Sequence, residues 1–323
     1  MKLTPIGALI VLATLVGIGP VRAEEPYPSR LITVVSPLAA GTTGDFLARL
    51  YADKLSKRFG QPVVVSNRPG AGGVVAAQNV AGAVPDGYTL LLANSGHTIL
   101  GSLNKHLPFD PVHDFAGVAL IGEASALVVV PPSLGVHTLR EFVDLAKANP
   151  GTINYASAGI GSATHLAGAY FAKQTGINIV HVPYKSGVDI IADLVSGRVQ
   201  VVFAPAAFTL PMLKGGKLLA LGVAAPMPMR EPIAVPSTLS ADIPYEYATW
   251  YGFLAPAKTP DAVLQTLNKA IADLGGDAEL KVKITDQGIT PRSVGLHDFD
   301  AHIEKEIERL APLLKSIGDQ IDN

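Results

Sequence analysis

Two loops rich in small and hydroxyl residues are the segments of this sequence best suited to bind a ligand. The first loop comprises residues 36–45 and the second loop comprises residues 156–165. Each follows a β-branched run and precedes a helical pattern, so its backbone N–H groups would lie at a helix N-terminus, where the dipole favours an anion. Two such loops facing each other would hold a carboxylate without a basic side chain. Ordinary turn chemistry is the alternative for either loop taken alone.

Hydroxyl groups in both loops add hydrogen-bond donors to this predicted grip. Thr42 and Thr43 supply them in the first loop, and Ser157 and Ser162 supply them in the second. Asp45 stands where the first helical pattern opens, and a capping or first-turn role is the alternative to ligand contact.

A third glycine-rich segment, residues 67–73, does not have the features of a phosphate-binding loop. It lacks a GK[ST] ending, and Val75 occupies the sixth position of a GxGxxG frame that starts at Gly70. We interpret this segment as a structural turn.

Motifs for catalysis or metal binding are missing from the sequence. It contains neither GxSxG nor HExxH, its eight histidines show no metal-ligand spacing, and it has no cysteine. Ser162 and His165 superficially resemble a nucleophile and its base, but no orienting acid is evident. We therefore expect a binding protein without catalytic residues, metal or cofactor, and a periplasmic hydrolase is the less favoured alternative.

The N-terminus has the pattern of a signal peptide. Lys2 precedes an apolar stretch at residues 6–18, and Val21 and Ala23 are the small residues of a cleavage site. We expect cleavage after Ala23 and a periplasmic location, with an uncleaved anchor as the alternative. The mature chain of 300 residues would hold 23 basic against 27 acidic residues, a formal charge of −4. This charge argues against nucleic acid as a partner.

The hydrophobic pattern switches repeatedly between short β-branched runs and longer amphipathic segments. Such alternation predicts an α/β fold with parallel-rich sheets covered by helices. We expect separate strands at residues 118–121 and 126–130, a helix at 138–148 with a capping box, and a mostly helical last third. A chain of this size usually divides into two lobes. The predicted lobes are 24–124 plus 247–323 and 125–246, and one large sheet is the alternative.

Ordered sequence blocks resemble one known family. From Tyr27 to Gly318, "YPSRLITVVSPLAAGTTGDFLARLYADKLSKRFGQPVVVSNRPGAGG", "PDGYTLLLANS", "LPFDPVHDFAGVALIGEASALVVVPPSL", "INYASAGIGSATHLAGAYF", "HVPYKSGVDIIADLVSGRVQVVF" and "TWYGFLAPAKTP" follow one another. Their order and spacing are similar to those of the substrate-binding receptors of tripartite tricarboxylate transporters, also called Bordetella uptake gene products.

The resemblance implies a type II periplasmic binding protein, a Venus flytrap whose two lobes are mixed sheets flanked by helices. It also implies a receptor that delivers a small organic acid to membrane permease subunits; a sensing module for a sensor kinase is the alternative. We expect a monomer. Family members hold a carboxylate with backbone amides, hydroxyls and ordered waters. By position, this implies contacts from Leu38, Ala40, Thr42, Thr43, Ser157, Gly159, Gly161, Ser162, His165 and Tyr184, with Ser95, Ala206 and Phe208 as further wall residues.

Two departures from the family pattern bear on the ligand. Gly41-Thr42 stands where a Gly-Gly pair is usual, and the Pro-Ala that usually follows the turn after Tyr184 is missing. The second departure would place Asp189 near the cleft, facing a cationic or hydroxyl group of the ligand, with a solvated helix cap as the alternative. Asp45 and Asp189 complete the predicted ligand-binding set.

Overall fold

The computed structural model describes residues 26–103, 106–185 and 187–321. The predicted signal peptide, its cleavage site after Ala23 and Ser186 of the altered turn lie outside these residues.

Strands and helices alternate along the first part of the chain. The elements are β1 (Ile32–Ser36), α1 (Thr43–Phe59), β2 (Val63–Asn67), α2 (Val74–Ala81), β3 (Thr89–Asn94), the short α3 (Leu100–Leu103) and β4 (Phe115–Val130). The alternation continues with α4 (Leu139–Ala148), β5 (Asn154–Ser157), α5 (Ala163–Thr175), β6 (Val180–Pro183), α6 (Gly187–Val195), β7 (Val201–Pro205), α7 (Ala206–Lys214) and β8 (Leu219–Val223). The last part comprises β9 (Ala248–Pro256), α8 (Asp261–Leu274), α9 (Ala278–Thr285), β10 (Thr290–Val294) and α10 (Leu296–Ile321).

These strands form two mixed sheets. In the first sheet the order is β2-β1-β3-β9-β4-β10, with parallel pairs on both sides of β1 and antiparallel pairs on both sides of β9. In the second sheet the order is β8-β4-β7-β5-β6, where β5 pairs in parallel with both of its neighbours. The α/β class with a mixed sheet in each lobe is thereby confirmed. More of the strand pairs are antiparallel than we expected, because the sequence predicted parallel-rich sheets.

Strand β4 belongs to both sheets. Its residues up to Ser125 pair with β9, and from Ala126 onward it pairs with β7 and β8. The expectation of two separate strands here is wrong, because Glu123, Ala124 and Ser125 are paired with Trp250, Thr249 and Ala248. The predicted lobe boundaries, which fall at this position, stay a prediction.

Each sheet is covered by helices on both faces. Leu47, Tyr51 and Leu267 join α1 and α8 to one face of the first sheet, and Trp250 and Phe299 belong to a cluster on its other face. Phe142 and Phe171 bring α4 and α5 onto the second sheet. The cluster around these two residues also contains Leu310 of α10, so the C-terminal helix packs against both lobes.

Candidate functional site

The first loop leaves β1 and enters α1 through a hydrogen-bonded cap. Thr42 is the N-cap residue: its hydroxyl accepts a hydrogen bond from the Asp45 N–H at 3.4 Å and donates to the Ala39 carbonyl at 2.8 Å. At the start of the loop, the Ser36 hydroxyl accepts from the Leu38 N–H at 3.3 Å. These bonds fix the small residues in a single turn that opens into a helix of 17 residues.

The Asp45 carboxylate braces this loop. It accepts hydrogen bonds from the Gly41 N–H at 3.0 Å, from Asn67 Nδ2 at 2.8 Å and from Arg49 Nε at 3.1 Å. Burial opposes ionisation, but the hydrogen bonds from Arg49, Asn67 and Gly41 hold the pKa of Asp45 below its ordinary value. The contacts are those of a first-turn residue, the alternative to ligand contact that the sequence left open.

Thr43 presents a hydroxyl whose hydrogen bonding is incomplete. The side chain is 4% exposed, and its Oγ1 has no hydrogen-bond partner of good geometry among the described residues. The Thr43 hydroxyl makes at most a weak hydrogen bond with the Tyr251 hydroxyl. Burial raises the pKa of Tyr251, and the contact with Thr43 opposes this shift. A buried hydroxyl without a well-formed hydrogen bond is costly, so the Thr43 side chain would gain by turning to donate to a ligand oxygen.

The second loop is shaped by its own serines. The Ser157 Oγ lies 2.5 Å from His181 Nε2 and accepts from the Gly159 N–H at 3.1 Å. Ser162 is the N-cap of α5 and accepts from the backbone N–H of His165 at 3.2 Å. Both hydroxyls therefore hold the loop in shape, and any contact of theirs with ligand stays a prediction.

Two stacked histidines support the second loop from behind. Nδ1 of His165 accepts from the Gly161 N–H at 3.2 Å, and its ring lies 4.1 Å from that of His181. Burial lowers the pKa of His165 to about 4, and burial together with His165 lowers that of His181 to about 3. Both rings are therefore neutral at pH 7. Because Gly161 occupies Nδ1, the pairing of Ser162 with His165 does not have the geometry of a nucleophile and base.

The remaining predicted residues lie around the two loops in different roles. The Tyr184 hydroxyl donates to Asp193 at 2.8 Å, and burial followed by Asp193 raises its pKa to about 12. The Ser95 hydroxyl accepts from the Trp250 N–H at 3.0 Å and so joins β3 to β9. Asp189 is exposed in the first turn of α6. Neither the two contacts nor the exposure of Asp189 by itself points to a ligand.

Several elements of the two lobes nevertheless converge at the first loop. A Cβ placed on Gly187, at the start of α6, would lie 3.8 Å from Cγ2 of Thr42 and 2.9 Å from the Phe208 ring. Ala206 is fully buried, and a Cβ placed on Gly288 of the first lobe would lie 2.7 Å from the Ala206 Cβ. The structure thus brings Thr42, Phe208 and the α6 N-terminus together.

A cavity of about 760 Å³ lies beside this convergence. It is lined by residues of the first loop and α1, by one residue of α7, and by the end of α9: Gly41, Thr42, Thr43, Asp45, Phe46, Arg49, Leu50, Asp53, Ala207, Lys283, Asp286 and Gln287. Its volume suits a small molecule. The sequence interpretation missed Lys283 and Gln287, because α9 lies more than two hundred residues from the first loop and no local pattern links them. It also missed Arg49, although Arg49 follows Asp45 at the i,i+4 spacing of an ion pair.

Two features of other classes of protein are absent from the described residues. No group of three or more His, Cys, Asp or Glu side chains is placed there to hold a metal ion. No helix in the described ranges combines the length and apolarity needed to cross a bilayer.

Comparison with known proteins links this geometry to one family. The model of the tripartite tricarboxylate transporter family receptor matches residues 47–319. Protein BugT of Bordetella pertussis (strain Tohama I) is 30% identical, with 99% of this chain and 100% of BugT covered.

Solved structures match over nearly the same span. Rpa4515 of R. palustris with adipate superposes with a TM-score of 0.86 at 32% identity, covering 90% of this chain and 98% of that chain. MatC from Rhodopseudomonas palustris with bound malate superposes with a TM-score of 0.84 at 29% identity, covering 89% of this chain and all of that chain (100%).

Proposed function

This chain belongs to the tripartite tricarboxylate transporter receptor family, and we propose that it captures a small organic acid between its lobes for delivery to membrane permease subunits. It is a solute-binding receptor and not an enzyme, in keeping with the family and its structural neighbours.

The observation that carries this proposal is the placement of the two loops. Each loop joins the end of a strand to the N-terminus of a helix, β1 to α1 in one lobe and β5 to α5 in the other. The free backbone N–H groups of both helix starts favour a carboxylate. Thr43 also lines the adjoining cavity, and we expect its hydroxyl, which lacks a well-formed hydrogen bond, to turn toward the carboxylate.

The structural neighbours support the same ligand class. Rpa4515 is bound to adipate and MatC to malate, and both ligands are aliphatic dicarboxylates. We therefore propose an aliphatic mono- or dicarboxylate for this chain.

A thermal-shift screen followed by calorimetry tests the ligand class. Adipate, malate and a panel of other aliphatic, aromatic and amino acids are compared with a neutral sugar. We expect at least one acid to raise Tm, with stabilisation that grows as RT ln(1 + [L]/Kd). Stabilisation by the sugar and by none of the acids would contradict the proposal.

Thr43→Val tests the proposed contact, and Thr259→Val is its matched control. Both threonines are 4% exposed and carry a hydroxyl without a hydrogen-bond partner among the described residues, but only Thr43 lines the cavity. We expect Thr43→Val to weaken binding of the best acid by about 1–3 kcal/mol, since a hydrogen bond to a charged group is lost. Thr259→Val is expected to leave Kd unchanged. If both variants bound the acid as tightly as wild type, the carboxylate would be held by backbone amides or by another loop.

Location and partners complete the proposal. We expect export to the periplasm, cleavage after Ala23 and a monomer, which N-terminal sequencing and light scattering of the exported protein measure. Loss of carboxylate uptake in a deletion strain would support delivery to a permease. Intact uptake with lost gene induction would instead favour a sensor partner.

A further inference from the structure

The glycine-rich turn at residues 70–73 lies against the second loop of the opposite lobe. Because a receptor of the proposed function must close around its ligand, we propose that Gly72 and Gly96 form a closing contact with Ile160 and Gly161. In this role they act as positioning residues that let the second loop seat against the first lobe. The inference thus rests on the proposed function and assigns residues to its closing step.

The two backbones approach too closely for any side chain at Gly72. A Cβ placed on this residue would lie 2.6 Å from the Ile160 carbonyl oxygen and 3.6 Å from the Gly161 carbonyl carbon. Real Cβ atoms do not come within 3.0 Å of a backbone atom, so one lobe would have to shift. The contacted atoms are backbone, which has no rotamer with which to move aside.

Gly96 makes a second and looser approach to the same loop. A Cβ on this residue would lie 3.3 Å from the Gly161 carbonyl oxygen and 3.6 Å from the Ala163 nitrogen. It would also lie 3.0 Å from Oδ1 of Asn94, which accepts a hydrogen bond from the Gly96 N–H at 2.9 Å. Two separate turns of the first lobe therefore touch the second loop.

The turn at residues 70–73 is held in an unusual backbone shape. Gly70, Ala71, Gly72 and Gly73 all have positive φ, including a φ of 46° at Ala71. A non-glycine residue in this region costs roughly 1–2 kcal/mol. The Gly73 N–H donates to the Gly70 carbonyl at 2.9 Å, which closes the turn. Strained backbone of this kind tends to occur where function requires a particular shape.

Both sides of the closing contact are anchored to the proposed ligand loops. In the first lobe, Asn67 at the end of β2 donates to Asp45 at 2.8 Å and to the Leu38 carbonyl at 2.9 Å. In the second lobe, Gly161 donates to His165 at 3.2 Å. Closure therefore brings together two surfaces that are already shaped. A change at the contact is expected to alter the fraction of closed molecules and, through it, the apparent Kd.

Spin-label distances measure this closed fraction. The sequence contains no cysteine, so Val84→Cys in the first lobe and Met227→Cys in the second provide unique labelling sites, 69% and 70% exposed. Double electron–electron resonance is recorded without ligand and with adipate, malate and the acid panel. In the doubly labelled chain without further substitutions, we expect some molecules to show a short distance between the two labels. We expect any acid that binds to increase the fraction of these molecules.

Gly72→Ala and Gly96→Ala are compared with matched controls. Gly60 has the same φ of 65° as Gly72, and a Cβ there meets nothing within 4 Å, so Gly60→Ala reproduces the strain without the contact. Gly96 has a φ of −64°, and Gly82→Ala is its control because Gly82 has a φ of −86° and its nearest neighbour lies at 3.5 Å. We expect Gly72→Ala to reduce the short-distance population and raise the apparent Kd about tenfold, Gly96→Ala to do so about threefold, and both controls to do neither.

The outcomes separate this inference from the proposed function. A short-distance population that survives Gly72→Ala and Gly96→Ala would overturn the closing contact, and so would its absence from the unchanged chain. If no acid binds but the ligand-free short-distance population is lost in Gly72→Ala and kept in Gly60→Ala, the closing contact stands and the ligand proposal fails. Equal melting temperatures of Gly72→Ala and Gly60→Ala would show that the short-distance population of Gly72→Ala is not lost through unfolding.

Discussion

Acidification is expected to destabilise the fold through the buried histidine behind the second loop. His165 is 6% exposed, and burial lowers its pKa from 6.5 to about 4. Between these two values the unfolded chain binds a proton at this side chain that the folded chain does not bind. The free energy of unfolding therefore falls as the pH falls through 6.5, and the effect levels off below pH 4.

The size of this contribution follows from the two pKa values. Between pH 7 and pH 5, a shift of this kind removes about 2 kcal/mol from the free energy of unfolding. His97 and His181, whose pKa values burial also lowers, to about 4 and about 3, add to the wild-type slope in the same direction.

Urea unfolding at pH 7, 6 and 5, followed by the fluorescence of the single tryptophan Trp250, measures this slope. In His165→Asn the amide oxygen can accept the Gly161 N–H in place of Nδ1, while the side chain no longer titrates. We expect its stability loss between pH 7 and pH 5 to be smaller than that of wild type by about 2 kcal/mol. The carboxylates titrate alike in both proteins, so their contribution to the change in unfolding free energy cancels when the two proteins are compared.

His113→Asn is a control substitution at an exposed histidine. The His113 imidazole lies 2.9 Å from Asp110, which raises its pKa rather than lowering it, and its side chain is 84% exposed. Because a raised pKa stabilises the folded state as the pH falls, replacing His113 should not reduce the loss of stability on acidification and should, if anything, enlarge it. Parallel stability curves for wild type and His165→Asn would refute the assignment of the slope to His165.

Three further substitutions probe the second lobe. Ser162→Ala removes the N-cap of α5 and should lower stability by about 1 kcal/mol in urea unfolding, whereas an unchanged midpoint would contradict the capping role. Gly168→Ala would place a Cβ 2.5 Å from the Tyr155 ring and should cost about 1–3 kcal/mol by calorimetry; a neutral result would mean that the ring moves freely. Tyr184→Phe removes the hydroxyl that donates to Asp193 and should cost about 1 kcal/mol without changing ligand Kd, so a large change in Kd would place this hydroxyl in the ligand site.

Local sequence signals predicted the elements whose causes are local. The capping box of α4 is present as expected: Thr138 Oγ1 accepts from the Glu141 N–H, and the Glu141 carboxylate accepts from the Thr138 N–H. Helix α7 contains Pro211, which normally disfavours a helix interior, so its local sequence does not predict a helix.

Features that depend on distant partners were not predictable in the same way. Strand β9 has aromatic and glycine residues without clear alternation, and it forms a strand because β3 and β4 pair with it on both sides. The turn at residues 70–73 was correctly interpreted as a turn. Its contact with Ile160 joins positions almost ninety residues apart, and only the folded chain shows it.

The placement of β9 sets the order in which the two sheets can form as the chain emerges N-terminus first. Residues 126–223 supply every strand of the second sheet, so the strands of that sheet can pair once the first 223 residues have emerged. The first sheet needs β9 in its interior, between β3 and β4, and β9 ends only at Pro256. Until β9 is present, the edges of β3 and β4 that pair with it remain unpaired while the middle of the chain folds. Unpaired strand edges promote aggregation. A chaperone that shields residues 32–125 until β9 arrives would raise the folded yield more than one that binds the second lobe.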